Sequence, residues 1–593
     1  MTDRRFSAPG LARRLLAPIA ALLGLVAGLS VLILPSPAPT TASPTEFSAE
    51  RAMASINRLA DEPHSVLNRE AHDRARDDVI GMFTDLGYTP TVHSDPLFDF
   101  SIPEDKETFD MLSAEQQAAV KDAPAETIVV DVPGKSERTM ALMAHYDSAT
   151  VEADENGHLH ITDGTSLGAA DDGYGVATIV ETLRALKAEG RQPENSLKIV
   201  ITDAEEIGLI GARNEMHHHR ADYENVDLVL NLEARGMSGP AFMFETSPNN
   251  SAVAGYFLSH VKQPVTGSLL PSLYARMPNT TDMAALIPEG FTVLNIAAIG
   301  EAEHYHHSTD APRYVDHSTL QHYGDQVLGL TRAWAFDGQA PTLTADGDLH
   351  FFQLWRGMTV RYPAAVGTGL GCLAVIAALG AIAVRTRSLR WKRVLGTVWG
   401  LTWRAASASA AAGLAQLGAI AMKWAPESGL GPNPLLPWMF AGGALIGVGL
   451  TARFVVRRWK EGLGQETLAA VLLLLTAACV PLMVLVPGAA YVLVLPTLTL
   501  ALTALAPQRV RPVVGALAAF IMVVIFAPTV LLIHELLSLS AVWVTVFFAI
   551  VPVAPLALVL LQAGSRRTAR GAGTASGAAH NSTPVVGQVA ATV

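Results

Sequence analysis

The sequence predicts an α/β domain, a three-layer sandwich around a mostly parallel mixed sheet, joined to an α-helical multi-span membrane domain. Three observations lead to this fold class. Apolar strand-like segments alternate with amphipathic ones before residue 350, long apolar runs follow residue 360, and acidic and basic residues divide unequally between the two parts. Nearly continuous apolar strands are typical of a sheet covered by helices on both faces. At 593 residues the chain is also too long for one domain.

The charges of the chain are split between its two parts. Residues 36–350 contain 49 acidic and 20 basic side chains, whereas the remainder contains 5 acidic and 22 basic ones. The mean hydropathy of +0.30 is high for a purely soluble protein. The basic residues lie in short clusters beside apolar runs, which is a pattern of membrane-flanking segments and argues against a nucleic-acid binder. The acidic part has no cysteine, so disulfides do not stabilise it.

An N-terminal membrane anchor is expected within residues 1–35. Residues 15–34 form an apolar run of the length needed to cross a bilayer, preceded by four arginines and followed by Pro35. The run is longer than the core of a signal peptide, and no clear small-x-small cleavage site follows it, so we favour an uncleaved anchor over a cleaved signal. The basic flank predicts a cytoplasmic N-terminus. A linker rich in Pro, Thr and Ser follows over residues 36–46.

Residues 47–345 are expected to form the α/β domain. Apolar residues at three-to-four spacing predict helices, and short apolar runs between turn residues predict strands. The predicted helices are 50–60, 70–86, 174–189, 250–261 and 316–335. The predicted strands are 127–132, 139–145, 197–203, 227–233, 240–245 and 292–299.

Seven apolar runs predict a seven-span membrane domain over residues 360–563. The runs are 364–384, 394–422, 436–456, 467–486, 489–506, 513–533 and 541–561. Basic clusters fall in every second connection, which places them and both termini on the cytoplasmic side and the α/β domain on the other. Residues 564–593 are expected to be a disordered cytoplasmic tail. Arg404 lies inside one span, where it would face the bundle interior or mark a functional site.

Five short segments of the acidic domain carry residue types that bind metals, and most follow a predicted strand. They are His145-Tyr-Asp147-Ser, Gly168-Ala-Ala-Asp171-Asp172-Gly-Tyr-Gly175, Asp203-Ala-Glu205-Glu206-Ile-Gly208, Asn231-Leu-Glu233 and Tyr305-His306-His307-Ser-Thr-Asp310. Open α/β sheets place their sites at the carboxyl ends of strands. A binuclear zinc centre needs imidazole and carboxylate ligands, a bridging carboxylate and a free carboxylate near a bound water. Each segment alone is a weak signal, but the set predicts such a centre.

In this order, the segments resemble those of the co-catalytic di-zinc exopeptidases, a family that includes secreted bacterial aminopeptidases. The resemblance is strongest to the membrane branch of vacuolar membrane proteases and endoplasmic-reticulum metallopeptidases. It implies two Zn²⁺ ions bridged by Asp171. His145 and Glu233 would complete one zinc site, and Glu206 and His306 would complete the other.

The resemblance also assigns roles to two carboxylates that do not bind zinc. Glu205 is similar to the family's general base, and Asp147 stands where the family has a carboxylate that orients the first histidine. Two positions depart from the commonest pattern. Many members have Asp at the position of Glu233, and Thr commonly stands at the position of His307. His304 and His307 therefore remain alternative ligands.

The implied function is that of a membrane-anchored zinc metallopeptidase of the aminopeptidase type, acting on peptides or proteins at a lipid bilayer. Alternatives are an inactive peptidase-like binding or assembly protein, a transporter or channel with a peptidase accessory, and a glutaminyl-cyclase-like acyl transferase. The alanine-rich composition and the lack of disulfides favour a bacterial plasma membrane over a vacuolar or endoplasmic-reticulum membrane. The run His217-His218-His219 is interpreted as an exposed helix-end cluster.

Overall fold

The computed structural model describes residues 8–153, 159–277, 280–421, 436–537 and 542–564. Within these ranges the strands are β1 (Thr91–Pro96), β2 (Pro124–Val132), β3 (Ser136–His145), β4 (Val151–Ala153), β5 (Leu159–Ile161), β6 (Asn195–Thr202), β7 (Val226–Ala234), β8 (Ser238–Thr246), β9 (Val293–Gly300), β10 (Leu349–Trp355) and β11 (Met358–Pro363).

The α-helices divide between the same two parts of the chain. The first eleven are α1 (Ala8–Leu29), α2 (Ala49–Leu59), α3 (Arg69–Asp85), α4 (Pro103–Met111), α5 (Ala114–Val120), α6 (Gly173–Ala188), α7 (Ile210–His218), α8 (Ser251–His260), α9 (Leu269–Tyr274), α10 (Met283–Leu286) and α11 (His317–Phe336). The membrane region contains α12 (Ala364–Ala383), α13 (Trp391–Ala421), α14 (Leu436–Lys460), α15 (Gly464–Leu485), α16 (Tyr491–Leu505), α17 (Arg511–Leu537), α18 (Val542–Ile550) and α19 (Val553–Gly564).

Seven strands form one mixed sheet in the order β1-β2-β6-β3-β7-β9-β8. The central strands β6, β3, β7 and β9 pair in parallel, whereas β1–β2, β2–β6 and β9–β8 pair antiparallel. Five of the seven strands therefore run in one direction. This confirms the predicted α/β fold with a mostly parallel mixed sheet.

The central strand β3 shows how the sheet is covered. Met140 and Leu142 pack into the large core formed with α2, α6 and α11. Ala141 and Met143 pack on the opposite face, in a smaller core that includes residues of α7 and α10. Because successive side chains of a strand point to opposite faces, one core lies on each side of the sheet, between it and a layer of helices, and the domain is a three-layer sandwich.

All six predicted strands are present with ends shifted by a few residues, and five strands were not predicted. The edge strand β1 has the sequence TVHSDP, and its side chains are exposed or half-buried. A strand of this kind lacks the apolar run on which the prediction depends. The hairpin β10–β11 joins the sheet domain to α12; it begins after residue 345, the predicted end of one domain, and extends past residue 360, the predicted start of the next.

Five helical segments among the described residues are long and apolar enough to cross a membrane. They are Ala12–Leu32, Ala364–Ala383, Gly464–Leu485, Arg511–Leu536 and Val542–Ala563. The other three predicted spans are also helical and correspond to α13, α14 and α16. Of these, α16 has only 15 residues, and α13 and α14 are less apolar or more highly charged than the five segments above. A total of eight spans therefore stays a prediction. The tail over residues 565–593 lies outside the described ranges.

The membrane helices contact the sheet domain directly. The backbone N–H of Arg356, in the turn between β10 and β11, donates to Ser30 Oγ at the end of the anchor over 3.0 Å.

Within the bundle, Arg404 donates from Nη1 to the carbonyl of Gly400, and its guanidinium carbon lies 3.9 Å from the centre of the Phe454 ring. The guanidinium of Arg404 therefore lies against an aromatic face of the neighbouring helix α14.

Candidate metal centre

Three neighbouring parallel strands bring the predicted site residues together. His145 is the last residue of β3, Glu233 lies near the end of β7, and Glu205 and Glu206 follow β6 within four residues. Because β6, β3 and β7 are adjacent and parallel, their carboxyl ends meet at one edge of the sheet. Asp171 reaches the same edge from the loop that precedes α6.

The carboxylate of Asp171 lies between the two predicted histidine ligands. Its Oδ1 is 3.2 Å from His145 Nε2, and its Oδ2 is 3.3 Å from His306 Nε2. The same nitrogen of His306 lies 3.0 Å from Glu206 Oε2. A carboxylate with one imidazole at each oxygen has the arrangement expected of a bridging ligand.

Three buried atoms of this cluster have no hydrogen-bond partner. They are Asp171 Oδ2, Glu206 Oε1 and His306 Nε2. Buried polar atoms are nearly always paired, so these atoms indicate a missing positive group. Potential ligand atoms converge within 4.8 Å in the set His145, Asp171, Glu233 and in the set Asp171, Glu206, His306. Nitrogen and carboxylate oxygen donors in this geometry fit zinc.

The charges of the site also call for a cation. Burial, together with the nearby charge of Glu233, raises the pKa of Glu205 well above its usual value. Burial raises the pKa of Glu206 to about 7, although the neighbouring His306 opposes the shift. Burial also raises the pKa of Glu233. Burial opposes protonation of His306, but the charges of Glu206 and Asp171 raise its pKa to about 10. A bound divalent cation would relieve this crowding of carboxylates.

Asp147 holds the other site residues from behind. Its carboxylate is fully buried and accepts the backbone N–H of Glu205 at Oδ1 over 3.1 Å and that of Glu206 at Oδ2 over 3.2 Å. His145 Nδ1 lies 3.0 Å from the carbonyl oxygen of Asp147, which can only accept a hydrogen bond. The proton of His145 is therefore on Nδ1, and Nε2 is left to bind a metal.

Two further carboxylates, to which the sequence assigned no role, position the loop of Asp171. Asp172 caps α6 by accepting the N–H of Gly175 at Oδ1 over 2.9 Å. Asp310 accepts the N–H of Ala170 over 2.7 Å and that of Asp171 over 3.3 Å. An Asp at the start of a helical pattern is a recognisable cap, so Asp172 had a local signal. Asp310 had none, because its partners lie about 140 residues away in sequence.

His306 reaches the centre through an unusual backbone conformation. Its φ angle is +60°, and its ring stacks on that of Tyr305 with 3.7 Å between the ring centres. A positive φ at a residue other than glycine is strained and is common at functional sites. Within the described part of the chain, the alternative ligands His304 and His307 belong to none of the converging sets.

The histidine run at the end of α7 forms a separate cluster near the edge strand β1. His217 and His218 are exposed, as the sequence predicts, whereas His219 is half-buried and its Nε2 lies 2.9 Å from Asp95 Oδ2. His93 Nδ1 lies 2.8 Å from Glu215 Oε1. The potential ligand atoms of His93, Glu215 and His219 also lie within 4.8 Å of one another, and these three side chains already have hydrogen-bond partners.

The family of the domain follows from this fold and this site. Residues 127–331 match the model of peptidase family M28, and this part of the chain is an M28 peptidase domain. The matched segment runs from β2 into α11 and contains every predicted metal ligand.

Curated relatives are similar over part of the chain. A vacuolar membrane protease of Lachancea thermotolerans is 26% identical over 292 residues, which are 48% of this chain and 28% of that protein. Endoplasmic reticulum metallopeptidase 1 of Mus musculus is 24% identical over 220 residues, which are 36% of this chain and 24% of that protein. The chain thus spans about a quarter of the length of these relatives.

Among solved structures, a zinc aminopeptidase from Bacillus subtilis is 13% identical with a TM-score of 0.37, and the match covers 51% of this chain and 98% of that one. A glutaminyl cyclase from Porphyromonas gingivalis is 18% identical with a TM-score of 0.36, and the match covers 48% of this chain and 98% of that one.

Proposed function

We propose that this chain is a membrane-anchored metallopeptidase that hydrolyses peptide bonds with two zinc ions and acts as an aminopeptidase. The observation that carries the proposal is the shared carboxylate of Asp171, which has His145 at one oxygen and His306 at the other. Glu233 would complete the first zinc site and Glu206 the second. The M28 domain and the membrane relatives support the same reading.

Glu205 is the proposed general base. It lies beside the ligands without being needed as one, and burial together with the nearby charge of Glu233 raises its pKa, so that it holds a proton more readily than an exposed carboxylate does. When bound, zinc would lower the pKa of a water and polarise the scissile carbonyl. Glu205 would accept the proton of the attacking water and pass it to the leaving amine. The N–H groups of Glu205 and Glu206, held by Asp147, orient both side chains.

The proposed topology places the peptidase domain on the non-cytoplasmic face. Basic residues at the ends of α12 and α14 and in the α16–α17 connection are grouped at one end of the bundle, where Arg385 donates to the carbonyl of Ala504 and Arg458 to that of Arg393. The peptidase domain contacts the turn that precedes α16, at Gly488, which is the end of α16 opposite to Ala504. With basic residues inside, both termini would be cytoplasmic. A bacterial plasma membrane is preferred over a vacuolar or endoplasmic-reticulum membrane.

Hydrolysis of aminoacyl-p-nitroanilides by the detergent-solubilised full chain tests the activity. We expect cleavage that 1,10-phenanthroline abolishes and that added zinc restores. Glu205→Gln should lower kcat by about 10²- to 10⁴-fold, the usual contribution of a general base, while zinc content stays unchanged. N-acetylated substrates should resist cleavage if the enzyme is an aminopeptidase.

The rival functions predict other outcomes of the same assay. A glutaminyl-cyclase-like enzyme would release ammonia from a peptide with N-terminal glutamine and leave the anilides intact. If the protein is instead a binding protein without activity, wild type would retain two zinc ions and cleave none of the substrates, and Glu205→Gln would not differ from it. Either result would overturn the proposal.

A further inference from the structure

A pocket lies beside the candidate metal centre and opens onto its carboxylates. Asp171, Glu205 and Glu233 are among the residues that line this pocket. Because Glu205 lines the pocket, a group bound there would be next to the reacting bond.

Two walls of the pocket come from the peptidase domain, and both are largely apolar. Phe242 and Phe244 extend from β8, and Ile299 from β9. Leu270 and Tyr274 come from the short helix α9. The rings of Phe244 and Tyr274 meet edge to face with 4.7 Å between their centres, which joins the first wall to the second.

The third wall comes from the membrane domain. Leu536, in the last turn of α17, lines the pocket, and with Leu532 it packs on the apolar cluster that contains Phe242 and Leu270. The end of α17 also lies close to the end of β9, since a Cβ atom placed on Gly300 would be 3.0 Å from Glu535 Oε2. A membrane helix therefore reaches the immediate surroundings of the proposed catalytic centre.

The membrane domain also supports the wall formed by α9. Ser268, just before α9, donates from Oγ to the carbonyl of Gly488, in the turn between α15 and α16, over 2.7 Å. That turn is packed against α9, because a Cβ atom on Gly488 would clash with Ser272 Oγ. Two of the three walls thus depend on contacts with the membrane region.

We propose that this pocket receives the side chain of the substrate residue next to the scissile bond, and that Leu536 of α17 sets the size of side chain accepted. The inference rests on the proposed peptidase function and adds a role for the membrane domain in specificity. The aromatic and aliphatic walls favour large apolar or aromatic residues. Arg235 also lines the pocket, so an acidic residue is the competing occupant.

The test compares kcat/KM of the full-length protein for alanyl, leucyl, phenylalanyl, 2-naphthylalanyl and glutamyl p-nitroanilides. Wild type should prefer phenylalanyl over alanyl by about tenfold or more, which is the scale on which an apolar pocket discriminates. Leu536→Phe narrows the pocket and should lower that ratio about tenfold. Leu536→Ala widens it and should raise the naphthylalanyl-to-phenylalanyl ratio by a similar factor.

Leu531→Ala is the matched control, since Leu531 lies on the same helix, is exposed and does not line the pocket. Its ratios should equal those of wild type. The two Leu536 variants shift specificity in opposite directions, so either one that folds decides the question. Unchanged ratios in a folded Leu536 variant, no wild-type preference for large apolar residues, or a preference for glutamyl substrate would overturn the proposal.

Failure of the peptidase function itself would look different, because wild type would cleave none of the anilides. Binding of Phe-Ala-Ala and Ala-Ala-Ala to Glu205→Gln, measured by isothermal titration calorimetry, then tests the pocket without hydrolysis. Tighter binding of the phenylalanyl peptide, reduced by Leu536→Phe, would support the pocket. Equal binding of the two peptides would contradict it.

Discussion

The carboxylate of Asp147 accepts hydrogen bonds from two neighbouring residues of the metal centre. Its two oxygens accept the N–H groups of Glu205 and Glu206, and an amide has only one oxygen to offer. Asp147→Asn should therefore lower zinc affinity by about 10- to 100-fold, as loss of a partner behind the ligands usually does. Competition with a zinc-chelating dye measures the effect.

Asp131→Asn is the control for Asp147→Asn. The Asp131 side chain is 71% exposed and contacts Lys198 at 2.7 Å, away from the site. The zinc affinity of the Asp131→Asn protein should equal that of wild type. Equal affinity in folded Asp147→Asn protein would show that the carboxylate does not hold the ligands.

His322 makes the stability of the peptidase domain depend on pH. Its Nδ1 accepts the N–H of Ala241, its Nε2 donates to the carbonyl of Gln263, and burial lowers its pKa to about 4. Because the unfolded side chain has a pKa near 6.5, the unfolded state binds the proton first on acidification. Stability should fall as the pH drops below about 6.5, by about 2–3 kcal/mol at pH 4.5.

Chemical unfolding of wild type and His322→Asn at pH 7 and pH 4.5 measures this contribution. The variant should be less stable at pH 7 and should lose less stability on acidification. His64, whose pKa burial also lowers to about 4, leaves part of the acid sensitivity in both proteins. If wild type and His322→Asn lost equal stability between pH 7 and pH 4.5, groups other than His322 would be responsible for the acid sensitivity.

Among the helices, α1 packs along α17 through two glycines spaced four apart. A Cβ atom on Gly24 would lie 2.7 Å from the carbonyl oxygen of Phe520, and one on Gly28 would lie 3.0 Å from Pro528 Cδ. Small residues at this spacing let two membrane helices approach closely. Gly24→Leu or Gly28→Leu should cost about 1–3 kcal/mol through overpacking and lower the Tm of the full chain.

The matched control for the two glycine variants is Leu22→Ala, at a position of the same helix that is 60% exposed. Thermal unfolding in detergent should separate it clearly from the glycine variants. If Gly28→Leu left the Tm unchanged, the close approach of α1 and α17 would not contribute to stability.

At the element scale, prediction succeeded where the signal is local. The buried strands β3, β6 and β7 each contain a run of apolar residues, and each was found with its ends nearly right. The polar edge strand β1 was missed, because its pairing with β2 and not its own composition makes it a strand.

Zinc should stabilise the whole molecule as well as activate it. Several buried carboxylates lie close together in the site, and their raised pKa values indicate that their negative charges repel one another. A ligand that binds only the folded protein stabilises the folded state by about 4 kcal/mol when its concentration is a thousand times its Kd. Treatment with 1,10-phenanthroline should therefore lower the Tm by several degrees, and zinc should restore it. Magnesium should not, because the site offers imidazole nitrogens.

Glu206→Gln tests whether that stabilisation comes from this site. Glu206 belongs to the ligand set with Asp171 and His306, so the variant should show a smaller zinc-dependent rise in Tm. A full rise in the variant would place the stabilising metal elsewhere in the protein.

The sequence by itself determined the fold class, the chemical types of the site residues and the separation into an acidic domain and apolar helices. These properties are legible because periodicity, strand-end position and charge are local. Only the tertiary structure decided which residues meet. The family resemblance had already grouped His306 with Glu206, but the structure alone shows that Asp310 holds the loop of Asp171 and that Leu536 of a membrane helix lines the pocket beside Glu205. Such contacts follow from strand order and helix docking, which no short stretch of sequence encodes.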